Sequence, residues 1–263
     1  MNIKNKIIAL RSNLQFDNWP ITLLQRLLFR KENLIVYRNG KLAFVVDVEG
    51  GDLPGTRECM TTDMYTRYFK QLPKNRPLSV LDLGANGGGF ALSLLAGGFT
   101  FSNCVCMEMN PNTFTRLQFN LNYNDRNHCR AVNAAVAGRN GFVEIRNTSG
   151  GTSESIYSQK LDGMADTLKV PLMTLDEVVD SNFEPHTLVD VCKMDIESAE
   201  YEVLESNTCQ SLRRFRLLII EIHNSDKSLD LVERISAAGF HEIVVSGKAN
   251  DQNVHCFKPI FPK

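Results

Sequence analysis

The chain has no excess of either charge, no long apolar run and no signal-peptide pattern in its first residues. Its 263 residues carry 29 Lys and Arg against 30 Asp and Glu, so no strong positive field marks a nucleic acid or an anionic membrane as a partner. No apolar stretch approaches the roughly 20 residues that cross a bilayer. The first residues also lack the apolar core of a signal peptide. We therefore expect a cytoplasmic protein with no membrane span and no nucleic-acid partner.

The seven cysteines show no sign of a metal site or a disulfide framework. An odd number of Cys in a chain of this length is typical of a reducing compartment. Cys104 and Cys106 lie within a predicted buried strand, and no second Cys or His pair has the spacing of a zinc site. Free Cys behaves as a small apolar residue, so we expect both to be core residues and predict no metal.

The most informative segment is a glycine-rich turn between an apolar strand and a helix. It has the sequence Val-Leu-Asp-Leu-Gly-Ala-Asn-Gly-Gly-Gly at positions 80–89. Glycine allows positive φ and a close approach of the backbone to a ligand. The segment has neither the Lys-Ser or Lys-Thr pair of a P-loop nor the Gly-x-Gly-x-x-Gly order of a dinucleotide-binding turn. Asp82 would repel a pyrophosphate but could accept hydrogen bonds from an ammonium group or a hydroxyl. The pattern favours S-adenosylmethionine as the ligand; another nucleotide or an ordinary glycine turn is the alternative.

The sequence pattern changes near Pro77, which separates an N-terminal extension (residues 1–76) from a main domain (residues 77–263). In the extension, apolar residues have helical spacing within 7–14 and 23–28, with basic residues between them. A helix at a membrane surface is conceivable there. An amphipathic helix packed on its own domain is the more common case, and we expect that arrangement.

The rest of the extension contains a hairpin pattern and a further helix pattern. Strands are predicted at 34–38 and 41–46, joined by a type I′ turn at Asn39 and Gly40. A helix is predicted at 57–69. The extension would form a lid or a substrate wall over the main domain, or serve as structural support alone.

From Leu78 onward, strand patterns alternate with helix patterns, which is typical of a mostly parallel sheet with helices on both faces. Strands are predicted at 79–83, 104–109, 130–136, 141–146, 170–173, 188–196, 216–223, 241–245 and 255–259. Helices are predicted to begin after Gly88 and at Pro111, Thr174, Ala199 and Ser228. Doubly wound sheets bind ligands at the carboxyl ends of their strands, so polar residues at those ends are functional candidates.

Residues at the ends of the second and third predicted strands are candidates for cofactor binding. Glu108 follows Asp82 by 26 residues, close to the position of a ribose-binding acid in such folds. Met109 could cover an adenine ring or fill the core. Asn133 and Ala134 end the third predicted strand. The amide of Asn133 could reach the adenine edge there, or Asn133 could form a turn.

Charged residues cluster at the ends of two later predicted strands. Strand alternation places Lys193, Asp195 and Glu197 on one side, and it places Glu221 and His223 on one side of the next strand. Such charges are costly to bury unless they face a polar cleft, pair with each other or hold a substrate. His223 is a candidate general base, and Asp195 could take that role or orient the acceptor. A Lys–carboxylate network that caps the next helix is the alternative.

Six segments, in order, resemble the successive motifs of FkbM-type methyltransferases. They are Leu81–Gly88, Glu108-x-x-Pro111, Asn133–Val136, Thr174–Glu177, Lys193–Glu200 and Ile220–His223. The resemblance covers about residues 78–225 and implies the class I methyltransferase fold, an α/β fold whose seven-stranded sheet has its last strand antiparallel. It also implies methyl transfer from S-adenosylmethionine, typically to a hydroxyl of a sugar or a polyketide.

The resemblance also implies roles for individual residues. The cofactor loop would consist of Asp82, Gly84, Asn86 and Gly88. Glu108 would bind the ribose, and the segment Lys193-x-Asp195-x-Glu197 would line the methyl-transfer site. Ser198 departs from the family pattern, in which Gly usually follows the Asp-x-Glu segment. The departure bears on the local backbone shape and on how closely a substrate approaches.

The mechanism that we expect is an in-line attack of an acceptor oxygen on the sulfonium methyl group. His223 or Asp195 would take the proton, and no metal would be required. Asp195, Glu197 and Glu221 could nevertheless hold Mg²⁺, which takes oxygen ligands. The expected partner is a small-molecule or glycan hydroxyl acceptor, and a homodimer is left open.

Two other functions stay open. A ribose 2′-O-methyltransferase could use Lys193, Asp195 and Glu221, although the second lysine of a Lys-Asp-Lys-Glu site is missing and the chain is not basic. The other is a cofactor-binding partner subunit that has lost its catalytic function, with Ser198 as an early sign. Methylation of any acceptor by the purified protein would exclude this second function.

Overall fold

Strands and helices alternate along most of the chain, of which the computed structural model describes residues 10–28, 33–146, 156, 167–205, 210–223, 228–245 and 253–260. The strands in these ranges are β1 (Leu34–Asn39), β2 (Leu42–Asp47), β3 (Leu78–Leu83), β4 (Phe101–Met107), β5 (Cys129–Val132), β6 (Ala135–Val136), β7 (Gly141–Arg146), β8 (Thr167–Met173), β9 (Val191–Met194), β10 (Leu218–Glu221), β11 (Phe240–Glu242) and β12 (Val254–Pro259). The α-helices are α1 (Trp19–Leu28), α2 (Asp52–Thr61), α3 (Gly89–Ala96), α4 (Pro111–Asp125), α5 (Leu175–Asn182), α6 (Glu200–Glu205) and α7 (Ser228–Ala237). Short 3-10 helices occupy Thr66–Gln71 and Ser211–Arg214.

Seven strands form the central sheet in the order β11-β12-β10-β9-β3-β4-β5. The strands from β10 to β5 run parallel, while β12 runs antiparallel to both of its neighbours. This topology confirms the predicted mostly parallel α/β sheet with an antiparallel last strand. Every residue of β3 is buried, as expected of a strand that is covered on both faces.

Helices cover both faces of this sheet. Leu78 and Val80 of β3 pack in a core cluster with residues of α3, α4 and the first 3-10 helix. Leu81 lies on the opposite face, in a cluster with residues of α5, α6 and α7. Cys104 and Cys106 are fully buried in the first cluster, as predicted. The carboxyl ends of β3, β4, β9 and β10 consequently lie at one edge of the sheet, where doubly wound folds bind ligands.

The single strand predicted at 130–136 is wrong, because the chain changes sheets within it. β5 ends at Val132 in the central sheet, whereas β6 pairs with β8 in a separate three-stranded sheet that also contains β7. Asn133 lies at the break, and its amide donates to the carbonyl oxygens of Glu108 and Met109, both at 2.9 Å. The side chain of Asn133 therefore holds the chain at the crossing between the two sheets.

The predicted hairpin of the extension is confirmed, but its turn lies one residue later. Asn39 pairs with Leu42, so Gly40 and Lys41 form the two-residue loop. Gly40 has a φ of +58°, whereas neither Asn39 nor Lys41 has a positive φ. A glycine with positive φ at the first loop position fits a type II′ turn and excludes the predicted type I′ turn.

The helix predicted at 57–69 has the wrong bounds. α2 begins already at Asp52, whose buried carboxylate is bonded to the guanidinium of Arg116. It ends before Thr62, which has an extended conformation with φ −118° and ψ 171° and returns its N–H to the carbonyl oxygen of Glu58. The chain then turns Tyr65 into the core before the 3-10 helix begins.

The amphipathic helix predicted at 23–28 exists as part of α1, but its expected packing is wrong. Leu24, Leu27 and Leu28 are exposed instead of lying against the domain. Residues 10–13 of the other predicted helix are helical, and residues 7–9 lie outside the described ranges. None of the helices in the described ranges has the length and hydropathy of a segment that crosses a bilayer.

Candidate active site

The carboxyl ends of β3, β4, β9 and β10 border a cavity of about 340 Å³. Of the twelve residues that the sequence predicts as functional, nine line this cavity: Gly84, Asn86, Glu108, Met109, Ala134, Lys193, Asp195, Glu197 and His223. The other three, Asp82, Gly88 and Asn133, do not line it. The two groups that the sequence predicts separately, for cofactor binding and for catalysis, thus share one cavity.

The glycines of the loop after β3 allow other segments of the chain to pack closely against the loop. Gly84 has a φ of +72°, and a Cβ at this position would lie 1.8 Å from the carbonyl oxygen of Asp195. A Cβ on Gly87 would lie 2.3 Å from Oγ1 of Thr56, and one on Gly89 would lie 2.7 Å from the Thr56 carbonyl oxygen. The loop is therefore packed between the end of β9 and helix α2 of the extension. Gly88 has a φ of +92° at the N-cap of α3, where it lets the chain turn into the helix.

Asn86 and Glu108 connect the loop to its surroundings. Asn86 has a φ of +50°, and its Oδ1 accepts the N–H of Gly87 at 2.7 Å and the hydroxyl of Thr56 at 3.3 Å. The N–H of Asn86 donates to Oε2 of Glu108 at 3.0 Å, and the N–H of Asn110 donates to Oε1 at 2.8 Å. Glu108 thus supports the loop with the same carboxylate that faces the cavity.

Lys193 is a buried cation that ties the loop to the two flanking carboxylates. Its Nζ donates to the carbonyl oxygen of Gly84 at 2.6 Å and lies 3.4 Å from both Asp82 Oδ1 and Asp195 Oδ2. Burial lowers the pKa of Lys193, but the charges of Asp82 and Asp195 outweigh burial and raise this pKa above its ordinary value. Burial raises the pKa of Asp82, and the charge of Lys193 opposes the rise. Asp82 is fully buried and does not line the cavity, so it supports the site through its contact with Lys193.

His223 lies among four carboxylates. Its Nδ1 is 3.2 Å from Glu200 Oε1, and its Nε2 is 3.4 Å from Glu197 Oε2, 3.7 Å from Asp195 Oδ1 and 3.9 Å from Glu221 Oε1. Burial lowers the pKa of His223, but its hydrogen bond with Glu200 and the surrounding negative charges raise it to about 9. The ring is therefore protonated at neutral pH, in contrast to the near-neutral pKa on which the sequence-based choice of a general base rested.

Two carboxyl groups of the cluster bind protons more tightly than usual. Burial raises the pKa of Glu197 to about 7; the charge of His223 opposes this rise, and the charges of Asp195 and Glu221 add to it. Burial and the charge of Asp195 also raise the pKa of Glu221. Both groups can accordingly change protonation state closer to neutral pH than an ordinary carboxyl group.

The backbone around Glu197 differs from the prediction, in which the strand ran to residue 196. β9 ends at Met194, and Glu197 and Ser198 have positive φ values of +53° and +78°. Simple alternation therefore does not place Lys193 and Glu197 on one side. The tight turn, and not the strand, brings the Glu197 carboxylate to His223. Ser198 has a left-handed backbone conformation. Glycine adopts this conformation without strain, which explains why it suits this position.

Tyr65 is a site residue that nothing in the local sequence pattern marks as functional. Its hydroxyl lies within hydrogen-bond distance of Asp195 Oδ2 (3.3 Å) and Glu221 Oε2 (3.2 Å). Its ring packs edge-on against Phe90, with a centroid distance of 5.6 Å. Together with Gly55, Glu58, Cys59 and Met64, it lines the cavity from the side of the extension.

Asp195, Glu197 and His223 each offer one potential metal-ligand atom, and these atoms lie within 4.8 Å of one another. A set of two carboxylates and one imidazole suits several divalent transition metals. The proton that His223 carries at neutral pH would have to leave before its Nε2 could bind a metal. This set contains His223, whereas the sequence-based alternative for Mg²⁺ named Glu221.

Comparison with known proteins identifies the family. The family model described as the methyltransferase FkbM domain matches residues 82–242, from the end of β3 to the end of β11. The chain belongs to the FkbM methyltransferase family. This confirms the resemblance noted in the sequence, and the central sheet is that of the class I, Rossmann-like methyltransferases.

Several solved structures resemble this FkbM family member in fold at low sequence identity. The FkbM methyltransferase from Methylobacillus flagellatus KT is 17% identical with a TM-score of 0.49, and the match covers 69% of this chain but 43% of that one. The M. jannaschii tRNA m1G37 methyltransferase is 12% identical with a TM-score of 0.45, covering 88% and 58%. A protein of the NADB-Rossmann superfamily from Streptococcus agalactiae is 12% identical with a TM-score of 0.47, covering 75% and 68%. No significant match to a curated protein is found.

Proposed function

We propose that the protein transfers a methyl group from S-adenosylmethionine to a hydroxyl of a small molecule such as a sugar, a glycoconjugate or a polyketide-like compound. Membership of the FkbM family supports methyl transfer. The observation that carries the proposal is the shared cavity. It joins the glycine loop and Glu108 to the carboxyl groups of Asp195 and Glu197 and the imidazole of His223.

The residues beside the glycine loop have the chemistry that the cofactor needs. The carboxylate of Glu108 lines the cavity and would accept hydrogen bonds from ribose hydroxyls. Met109 and Ala134 offer apolar surface to a purine ring, and the nearby carboxylates attract a positively charged ligand. The bound donor would supply an electrophilic methyl group. Asp82 and Gly88 would shape the loop without touching the ligand.

The pKa values of the acidic and basic groups support different roles for them at neutral pH. Glu197, with a pKa of about 7, is partly deprotonated at neutral pH and would accept the proton of the acceptor hydroxyl. His223, with a pKa of about 9, would remain a cation that stabilises the charge of Glu197 and Asp195. Glu200 would orient the ring through its contact with Nδ1. The base that we propose is therefore Glu197, in place of the His223 or Asp195 predicted from the sequence.

The charge of the cavity disfavours the RNA alternative. Among the described residues, its lining includes the carboxylates of Glu58, Glu108, Asp195, Glu197 and Glu221, against the two basic side chains of Lys193 and His223. A phosphate backbone would be repelled by such a surface, while a neutral hydroxyl compound would not. The residues of the extension that line the cavity would form the substrate wall.

Calorimetric titration with S-adenosylhomocysteine tests the cofactor assignment. Glu108→Gln should weaken binding by about tenfold or more, because a charge-assisted acceptor of the ribose is lost. Glu144→Gln is the matched control, since Glu144 is exposed on β7 and does not line the cavity. Unchanged affinity in Glu108→Gln would remove Glu108 from the cofactor site.

A second assay tests the reaction. Wild-type protein is incubated with S-adenosylmethionine and a panel of sugars and other hydroxyl compounds, and methylated products are detected by mass spectrometry. Product that forms with wild type but not with Glu197→Gln supports O-methylation. If the protein binds S-adenosylhomocysteine but methylates none of these acceptors, the non-catalytic partner subunit becomes the better function.

A further inference from the structure

Helix α1 is attached to the rest of the protein by its polar side. Thr22 is its one buried residue, and the Thr22 hydroxyl donates to Oδ1 of Asn13 at 3.1 Å. Nε2 of Gln25 donates to the carbonyl oxygen of Leu34 in β1 at 2.9 Å. An amphipathic helix on a globular domain normally buries its apolar side, so this orientation is inverted.

The apolar side of α1 faces outward as a result. The exposed fractions are 66% for Ile21, 53% for Leu24, 57% for Leu27 and 65% for Leu28. Trp19, at the start of the helix, is also exposed. A single exposed Leu needs no explanation. Four large exposed aliphatic side chains on one helix indicate a surface that binds another apolar surface.

Further exposed apolar side chains lie on β1, the strand that Gln25 of α1 contacts. β1 alternates between buried and exposed residues, and its outward residues are Leu34, which is 53% exposed, and Val36, which is 44% exposed. We name the side chains of Ile21, Leu24, Leu27, Leu28, Leu34 and Val36 the apolar face. Since both α1 and β1 contribute to it, the apolar face is a property of the folded extension.

Positive charge is concentrated in the same part of the chain. Residues 1–46 contain eight of the 29 Lys and Arg but only two of the 30 Asp and Glu, a net charge of +6, while residues 47–263 have a net charge of −7. The described basic side chains of this segment, Arg11, Arg26, Arg38 and Lys41, are all exposed. The net charge of the whole chain is close to zero and does not show this separation. The expectation of no anionic partner rested on that net charge.

We propose that the apolar face docks on an anionic lipid surface. α1 would lie in the plane of the interface with its Leu and Ile side chains at the acyl boundary, and the basic side chains would meet lipid phosphates. Binding of this kind needs no bilayer-spanning helix. A second copy of this chain fits less well, because two extensions with the same positive charge repel each other. The proposal does not depend on the methyl-transfer reaction.

Co-sedimentation of the full chain with vesicles tests this proposal. Vesicles of phosphatidylcholine that contain phosphatidylglycerol should retain the protein, whereas vesicles of phosphatidylcholine alone should retain much less, and added salt should release it. The double variant Leu24→Ser and Leu28→Ser should lower the bound fraction about tenfold or more. The control is Leu229→Ser, because Leu229 is 75% exposed on α7, outside the apolar face, and its substitution should change nothing.

Thermal unfolding and sedimentation equilibrium complete the test. All three substituted leucines are exposed, so melting temperatures close to that of wild type should show that the variants fold. Absence of wild-type binding to the anionic vesicles, or equal binding by the double variant, would overturn the proposal. So would a wild-type dimer that the double variant converts to a monomer, since the apolar face would then be a contact between two copies of the chain.

Discussion

The hydroxyl of Tyr65 lies 3.3 Å from Oδ2 of Asp195, so a residue of the N-terminal extension reaches the strand end at the centre of the candidate active site. Glu221 Oε2 lies at 3.2 Å from the same hydroxyl. A phenol has one proton and can donate to only one of the two carboxylates at a time. Burial and the charge of Asp195 raise the pKa of Tyr65 well above its ordinary value, which keeps it a donor.

The first prediction concerns this donor. Tyr65→Phe leaves the ring in place and removes the hydrogen bond, so turnover should fall about tenfold, the equivalent of about 1.4 kcal/mol. Affinity for S-adenosylhomocysteine should change little. Tyr68→Phe is the control, because the Tyr68 hydroxyl bonds to the carbonyl oxygen of Val254 and Tyr68 does not line the cavity. Equal turnover in wild type and Tyr65→Phe would show that Tyr65 has a packing role alone.

The second prediction is the pH dependence of methyl transfer. If Glu197 is the base, its deprotonated form is active, and the rate should rise with pH through an apparent pKa of about 7. Glu197→Gln should lose most of the rate and should lack this rising limb. Persistence of the same limb in the variant would assign it to another group, of which Glu221 is the first candidate because its pKa is also raised.

The third prediction is the pH dependence of stability. The native pKa of His223, about 9, lies above that of an unfolded histidine, so the native state binds this proton more tightly. The resulting stabilisation is complete below about pH 6.5 and is lost as the pH rises through 9. Between pH 7 and 9 the wild-type free energy of unfolding should fall by on the order of 2 kcal/mol. Urea unfolding of His223→Gln should show a smaller fall, and an equal fall would exclude His223 as its source.

The fourth prediction concerns the departure from the family pattern. Ser198 has a φ of +78°, which costs an L-residue free energy that glycine does not lose. Ser198→Gly should therefore stabilise the fold by on the order of 1 kcal/mol, or raise the melting temperature by about 2–4 °C. Ser198→Val should lower it, because a β-branched residue is disfavoured there. A loss of stability in Ser198→Gly would mean that the Ser198 hydroxyl has its own structural role.

The fifth prediction is that chelation leaves activity unchanged. The protonated ring of His223 already supplies a positive charge between Asp195 and Glu197, and its proton occupies the Nε2 position that a metal ion would need. Turnover should be equal before and after dialysis against EDTA. Loss of activity that Mn²⁺ or Mg²⁺ restores would instead identify Asp195, Glu197 and His223 as metal ligands.

The central sheet and most of the cavity lining could be predicted from the sequence because their signals are local. Glu108 and His223 lie at the ends of apolar strand patterns, and parallel strands bring such ends together without further information. Tyr65 could not be found in this way. Its partner Asp195 lies 130 residues further along the chain, and only the break between α2 and the 3-10 helix turns the Tyr65 ring inward.

The errors share a physical cause, which is that backbone geometry at element ends depends on distant partners. The split at Asn133 lies within an apolar, extended segment, and its amide bonds to the carbonyl oxygens of Glu108 and Met109 only in the folded state. The hairpin turn lies one residue later than predicted because Asn39 is paired in the strand. The apolar residues of α1 were expected to be buried, since amphipathic patterning indicates that a helix has an apolar side but does not indicate what covers it.

The contact of Thr56 with Gly87 and Gly89 has a consequence for chimaeras of this chain. A side chain at Gly87 would collide with Oγ1 of Thr56, and a side chain at Gly89 would collide with the Thr56 backbone. Neither glycine can therefore gain a side chain while α2 keeps its position. A chimaera that takes residues 1–76 from another family member should keep its loop geometry only when the donor helix leaves the same space beside both glycines.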